Sequence, residues 1–189
     1  MYFILHNWLL IASYHECLSI IFIYILRLDE PYEWPPIYGN LVEAYTVRRF
    51  WAYFWHRIVY APFRAVADRL SARVFGQGQG KRGVAQRFVN VTLVFLLSGL
   101  IHSMMDWKNG SCNCWASGTF YVVQPLGFVL ESLVWFAWAP LRKRVFAPGS
   151  RVPLIFERAL GYLWVWTWFF WLYPQRAVAE INCRVRGYP

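Results

Sequence analysis

The stretch FVNVTLVFLLSGLIHSMMD, residues 88 to 106, constrains this chain most. A helix rises about 1.5 Å per residue and roughly 20 residues cross the hydrocarbon core of a bilayer, so this run is long and apolar enough to span one. His102 then lies deep along the span. An ionisable group there is either a structural imidazole bonded to a neighbouring helix, or a proton-exchanging group in a chamber from which lipid excludes water.

The remaining residues favour a membrane throughout. Of 189 residues, 58% are hydrophobic and only 15% are charged, too few charges to clothe a soluble domain of this size. No long Ser/Gly tether divides the apolar runs, so residues 1–189 read as a single membrane domain. The net charge of +9 collects between the spans, as in loops held on the cytoplasmic face against anionic lipid. No separate basic module suggests nucleic acid.

Four spans are expected, at about 2–26, 88–106, 114–139 and 159–173, giving an all-α, multi-pass transmembrane helical bundle. The first, YFILHNWLLIASYHECLSIIFIYIL, is too long for a signal peptide's apolar region and lacks a basic leader. RLDEPYEWPPIYGN, 27 to 40, is a proline-rich connection. Residues 41–73 read as one interfacial amphipathic helix, its aromatics among headgroups and its arginines toward phosphates, with a kink at Pro62. GQGQGKRGVAQR, 76 to 87, lacks the order of a phosphate-binding loop and reads as a basic connector. Pro174 is expected to end the last span and to precede a polar tail.

Counting Lys and Arg on alternate loops places 27–87 and 141–158 on the cytoplasmic side and both termini in the lumen. Asn109-Gly110-Ser111 is then a lumenal glycosylation sequon, close enough to the membrane that its use is not expected. Cys112 and Cys114 have neither the spacing nor the second half of a zinc ribbon, so no metal is expected and packing or a lumenal disulfide is the better reading. Gln124 and Glu131 sit inside the third span and require protein or a polar cavity beside them.

In order, PPIYG at 35 to 39, FWAYFWHR at 50 to 57, FLLSGLIH at 95 to 102, QPLGFVLE at 124 to 131 and GYLWVWTWFFWLYP at 161 to 174 resemble the wax-synthase-like branch of the membrane-bound O-acyltransferases. The pattern is most similar to fungal members that acylate, usually acetylate, hydroxyl groups of terpenoid and related secondary metabolites. That resemblance implies an acyl-CoA-dependent O-acyltransferase of the endoplasmic reticulum, with acetyl-CoA as co-substrate, an apolar alcohol as acceptor and the bilayer as partner. It implies His102 as the catalytic histidine and His56 as a second catalytic residue lining the same chamber. Members of the family are usually longer, with further amino-terminal spans, so the chain also reads as a fragment or a shortened relative.

Acyl transfer from a thioester to an alcohol needs a base for the hydroxyl proton, donors for the oxyanion and a hold on the coenzyme's phosphates. His102 suits the first task. His56, or an indole N–H such as that of Trp55, suits the second. Trp51, Trp55, Ser98, Gln124 and Glu131 are candidate chamber residues. Arg48, Arg49, Arg57, Arg64, Lys81 and Arg82 are candidates for the phosphates, or anchor the membrane surface instead. The loop count puts His56 near the cytoplasmic face and His102 in the lumenal half, so contact between them requires the 47–73 segment to dip inward. The competing functions are a catalytically inactive membrane scaffold of this family and a wax-ester-type long-chain acyltransferase. A soluble serine acyltransferase would need a GxSxG nucleophile, which the sequence lacks.

Overall fold

The computed structural model describes residues 2–56, 60–76, 83–146, 150 and 152–185, and among these every regular element is helical. Seven helices follow in order: α1 Tyr2–Ile20, α2 Val47–Arg49, α3 Tyr60–Phe75, α4 Val84–Lys108, α5 Trp115–Val122, α6 Gln124–Val145 and α7 Val152–Val185. A π-turn, Ile21–Ile25, extends α1, and a second, Phe50–Phe54, extends α2.

Among the described residues, three helical stretches have the length and apolarity to cross a bilayer: Leu5–Ile25, Val84–Lys108 and Trp115–Val145. They overlap the stretches expected as spans at 2–26, 88–106 and 114–139. The third is α5 and α6 end to end, with Pro125 in the first turn of α6, where its missing N–H leaves no helical bond unmade. The expected span 159–173 lies within α7 but is not among the three, because indoles and phenols replace the aliphatic side chains that raise hydropathy. Nor does Pro174 end that helix. It continues to Val185 with the proline inside.

The segment 41–73 is not one interfacial helix. A 3₁₀ turn at Leu41–Glu43 leads to α2 and its π-turn, and a separate α3 follows. Pro62 falls in the first turn of α3, where a proline breaks nothing. In the π-turn the Trp55 N–H reaches back five residues to the Phe50 carbonyl, at 2.8 Å. That winding turns Phe50, Phe54 and Trp55 into the core, where they meet Phe95, Phe120 and Phe169. Aromatics spaced for a headgroup layer are instead the centre of the fold.

Gly39 permits this arrangement. Its N–H donates to the Phe54 carbonyl at 3.0 Å, and a Cβ there would stand 1.7 Å from the Tyr53 carbonyl oxygen. Only a residue without a side chain lets the PPIYG strand of the chain lie against the π-turn. Helices α4 and α5 approach equally closely at Gly99, where a Cβ would lie 2.9 Å from the Gly118 carbonyl oxygen. Helix α3 docks on α4 through Asn90 Nδ2, which donates to Asp68 at 2.6 Å. At the far end Trp138 and Arg142 of α6 both reach Glu157 of α7, at 2.7 and 3.0 Å.

Candidate active site

His102 sits on α4, half-buried, with its ring stacked on Tyr121 of α5 at 4.4 Å between centroids and 14° between planes. One turn further along α4, Asp106 accepts a hydrogen bond from the buried Ser117 hydroxyl, one turn before Tyr121 on α5. Two residues of each helix thus pair across the close crossing at Gly99. The His102 ring cannot swing without losing its stacking partner.

His56 follows the π-turn. Its ring packs on Tyr38 at 5.9 Å and on Trp55 at 5.3 Å. Burial holds its imidazole below its ordinary pKa and pushes the Tyr38 phenol up to about 12. Both polar atoms, His56 Nδ1 and Tyr38 Oη, are closed off from solvent and have no hydrogen-bond partner among the described residues.

Three rings lie between the two histidines. Tyr121, on which His102 stacks, meets Trp51 at 5.9 Å; Trp51 meets Trp55 at 5.8 Å; and Trp55 meets His56. The inward dip of the aromatic segment does occur, since Phe50, Phe54 and Trp55 are core residues, yet it brings His56 to Tyr38 rather than to His102. Two grooves run along α1, of about 750 and 380 Å³, and neither is lined by His56 or His102.

The other expected site residues divide by what holds them. Gln124 is 0% exposed, and its Oε1 accepts from the indoles of Trp51 and Trp168, both at 3.1 Å, while its Nε2 donates to the Phe120 carbonyl at 2.8 Å. The Trp51 N–H is therefore committed within the core. Glu131 accepts from the backbone N–H groups of Val47 and, at 3.3 Å, Arg48, and from the Trp164 indole at 3.0 Å. With Thr46 accepting from the Arg49 N–H at 3.0 Å, the open N–H groups at the start of α2 are satisfied. Both polar side chains read as chamber residues serve here as fasteners of the aromatic segment. Ser98 is half-buried on α4, and Asn109 is exposed at the end of that helix.

The described candidate arginines do not converge. Arg48 donates to the Ser132 hydroxyl at 2.9 Å and to the Phe128 carbonyl at 3.3 Å. Arg49 is paired with Glu43 and lies between the rings of Tyr45 and Tyr53, at 4.5 and 4.6 Å. Arg64, on α3, has a long 3.8 Å pairing with Asp68 and a 55% exposed side chain, against 28% for Arg49. Arg57, Lys81 and Arg82 lie outside the described residues. Cys112 is disulfide-bonded, and Cys17 and Cys114 are free thiols.

Comparison with known sequences decides what these motifs belong to. The sequence profile of the membrane bound O-acyl transferase family matches residues 34–123, a segment that begins just before PPIYG and carries both histidines and Tyr121. Just under half of the chain, the part that carries both histidines, is similar to the membrane-bound O-acyltransferase family. It is 31% identical over 79% of its length to the acetyltransferase ataH of Aspergillus terreus. It is 32% identical over 88% of its length to the acetyltransferase nanB of Aspergillus nanangensis, and 31% over 81% to the acetyltransferase spyB of Aspergillus fumigatus. The alignments cover 47%, 41% and 28% of those three relatives, so this chain spans less than half of each. No solved structure matches it. Gln124 and Glu131, the fasteners, lie just beyond the segment matched to the O-acyltransferase family.

Sequence reasoning missed Tyr38, Asp106, Ser117 and Tyr121. Tyr38 stood in a quoted motif, which was a usable signal. Tyr121 had none, because a stack between two helices leaves no trace in either helix alone.

Proposed function

We propose that this chain transfers an acetyl group from acetyl-CoA to a hydroxyl of a terpenoid or related fungal secondary metabolite, at the endoplasmic-reticulum membrane. The observation that carries this reading is the stack of His102 on Tyr121, an oriented imidazole inside the segment matched to the family and within an apolar span. The relatives' names, all acetyltransferases, support the choice of acyl group.

In the reaction, His102 takes the proton of the acceptor hydroxyl as its oxygen attacks the thioester carbonyl. The tetrahedral intermediate collapses by breaking the carbon–sulfur bond, and the thiolate of coenzyme A recovers the proton from the imidazolium. Ester and free coenzyme leave, and the ring is restored. The Trp51 N–H is held by Gln124, and the Trp55 indole and the His56 ring stand beyond Trp51 and Tyr121 from His102, so either would have to close on His102 to serve the oxyanion. Arg64, exposed and only loosely paired with Asp68, is a candidate for a phosphate, whereas Arg49 is already neutralised by Glu43. Arg57, Lys81 and Arg82 stay candidates beside it. The acceptor, being apolar, enters from the bilayer.

The test is a microsomal assay of the full chain with labelled acetyl-CoA and a panel of terpenoid alcohols, beside His102→Ala. Ester from the wild type and a loss of about a hundredfold or more in the variant is the expected result. Equal ester from both removes His102 from the mechanism, and no ester with any alcohol overturns the acetyltransferase reading.

A further inference from the structure

We propose that Arg158, held over the ring of Tyr45 near the start of α7, binds the phosphate of an anionic phospholipid. None of the residues assigned to acyl transfer takes part.

Arg158 is half-buried, its Nε is closed off from solvent, and no hydrogen bond or ion pair reaches it among the described residues. The carboxylates on either side are taken. Glu157, beside it in sequence, is held by Arg142 and the Trp138 indole at 3.0 and 2.7 Å, and Glu43, two residues before Tyr45, is paired with Arg49. A guanidinium keeps its charge in any protein setting, so it cannot escape burial by losing a proton. A partly buried cation without a counter-charge is costly, and native structures leave few such groups unexplained. The packing around it is fixed. Its guanidinium lies over the Tyr45 ring at 5.1 Å, and the same ring carries Arg49 at 4.5 Å. Helix α7 is pressed onto this segment at Gly161, where a Cβ would run into the Tyr45 carbonyl oxygen, and Tyr162 donates to the Val42 carbonyl at 2.5 Å. An aromatic ring attracts a cation but brings no net charge to neutralise it.

The neighbours select the anion. Leu154 and Ile155, one turn earlier on the same face of α7, are exposed, Ile155 by 69%. Beside them α6, the end of a helical stretch long enough to cross a bilayer, closes with Arg142, Lys143 and Arg144, and the last two are exposed. Arg142 is tied to the residue next to Arg158. The guanidinium therefore stands where a spanning helix leaves the apolar layer, with further cations on one side and bare aliphatic side chains on the other. An amphiphile answers both: its phosphate meets the fork of the guanidinium, and its acyl chain lies along Leu154 and Ile155. A water-soluble phosphate gains nothing from the aliphatic side chains, and a zwitterionic headgroup brings no net charge. An anionic phospholipid supplies the charge that Glu157 and Glu43 have already given elsewhere.

Native mass spectrometry of the full chain in detergent, titrated with dioleoyl phosphatidic acid and with dioleoyl phosphatidylcholine, tests this. The wild type is expected to hold the phosphatidic acid about tenfold more tightly, the scale of one hydrogen bond to a charged group. Arg158→Gln is expected to bring the two lipids level, while a double variant, Lys143→Gln with Arg144→Gln, keeps most of the preference. Equal affinities in the wild type overturn the proposal. So does a preference that Arg158→Gln leaves intact or that the double variant abolishes, since either assigns the headgroup to the exposed cations of α6. Should Arg158→Gln not fold, photo-crosslinking of the wild type with a diazirine-bearing phosphatidic acid decides: label on the peptide holding Leu154 and Ile155 supports the site, and label confined to other peptides, or none, overturns it. Displacement of the lipid by coenzyme A also overturns it, because the guanidinium would then serve the coenzyme.

Discussion

Gln124 and Glu131 stand two turns apart on one face of α6, and each accepts an indole N–H from α7 while fastening the segment that carries the FWAYFWH motif. Trp168 answers Gln124, and Trp164, one turn away, answers Glu131. Three chain segments that share no local sequence are joined at two polar points inside an aromatic core. Such contacts are short-range and directional, so they fix the register of the motif within the apolar packing around it.

Gln124→Leu removes all three bonds of the amide and leaves two indole N–H groups without an acceptor in the core. We expect a loss of about 2–6 kcal/mol of stability, from a cost of about 1–3 kcal/mol for each of the two stranded groups. Thermal unfolding in detergent, followed by tryptophan fluorescence, measures it. An unchanged midpoint would mean that the indoles find other acceptors.

Gly39→Ala places a methyl group where the Tyr53 carbonyl oxygen already is, whereas Gly83→Ala meets nothing within 4 Å. The first substitution must push PPIYG away from the π-turn, and with it Tyr38 from His56. Size-exclusion profiles of the two purified variants are expected to differ, the Gly83 variant eluting like the wild type and the Gly39 variant aggregating.

Tyr121→Phe keeps the stack on His102, and Tyr121→Leu removes it. Since loss of orientation at a reacting group costs up to about a hundredfold in rate, acetyl transfer is expected to fall by about tenfold to a hundredfold in the Leu variant and little in the Phe variant. Initial rates decide this, and peptide-resolved labelling of His102 by diethyl pyrocarbonate gives a second readout. Equal rates for both variants would mean that the ring of residue 121 does not hold the imidazole.

Burial of His56 lowers its pKa below the ordinary 6.5, which ties stability to pH with a definite sign. Below that value the unfolded chain binds a proton that the folded chain refuses, so stability rises with pH in this window. The contribution is fully present above pH 6.5 and is lost as the pH falls toward the folded-state value. His56→Gln is expected to flatten this part of the curve, as measured by unfolding midpoints from about pH 5 to pH 7.

Much of the architecture was legible in the chain itself. Length and apolarity located the three helical stretches that could cross a bilayer, because such a length of apolar helix is a property of one continuous segment and needs no partner. The motifs also pointed to the family and to both histidines. What misled was periodicity in the aromatic segment: Phe50, Trp51, Phe54 and Trp55 recur as on an amphipathic helix, yet a π-turn changes which side chains share a face, and nothing in the spacing of four aromatics distinguishes five residues per bond from four.

The sequence by itself determined that this protein is helical and membrane-borne, and which imidazoles its motifs carry, since these follow from composition and order along the chain. The tertiary structure alone decided what each polar group meets: Glu131 the start of α2, 84 residues away, His102 the face of Tyr121, and His56 the edge of Tyr38. The reason is physical. Hydrophobic burial depends on area and accepts almost any apolar neighbour, whereas a hydrogen bond or a ring stack requires one partner at one distance, and only the crossing of helices supplies it.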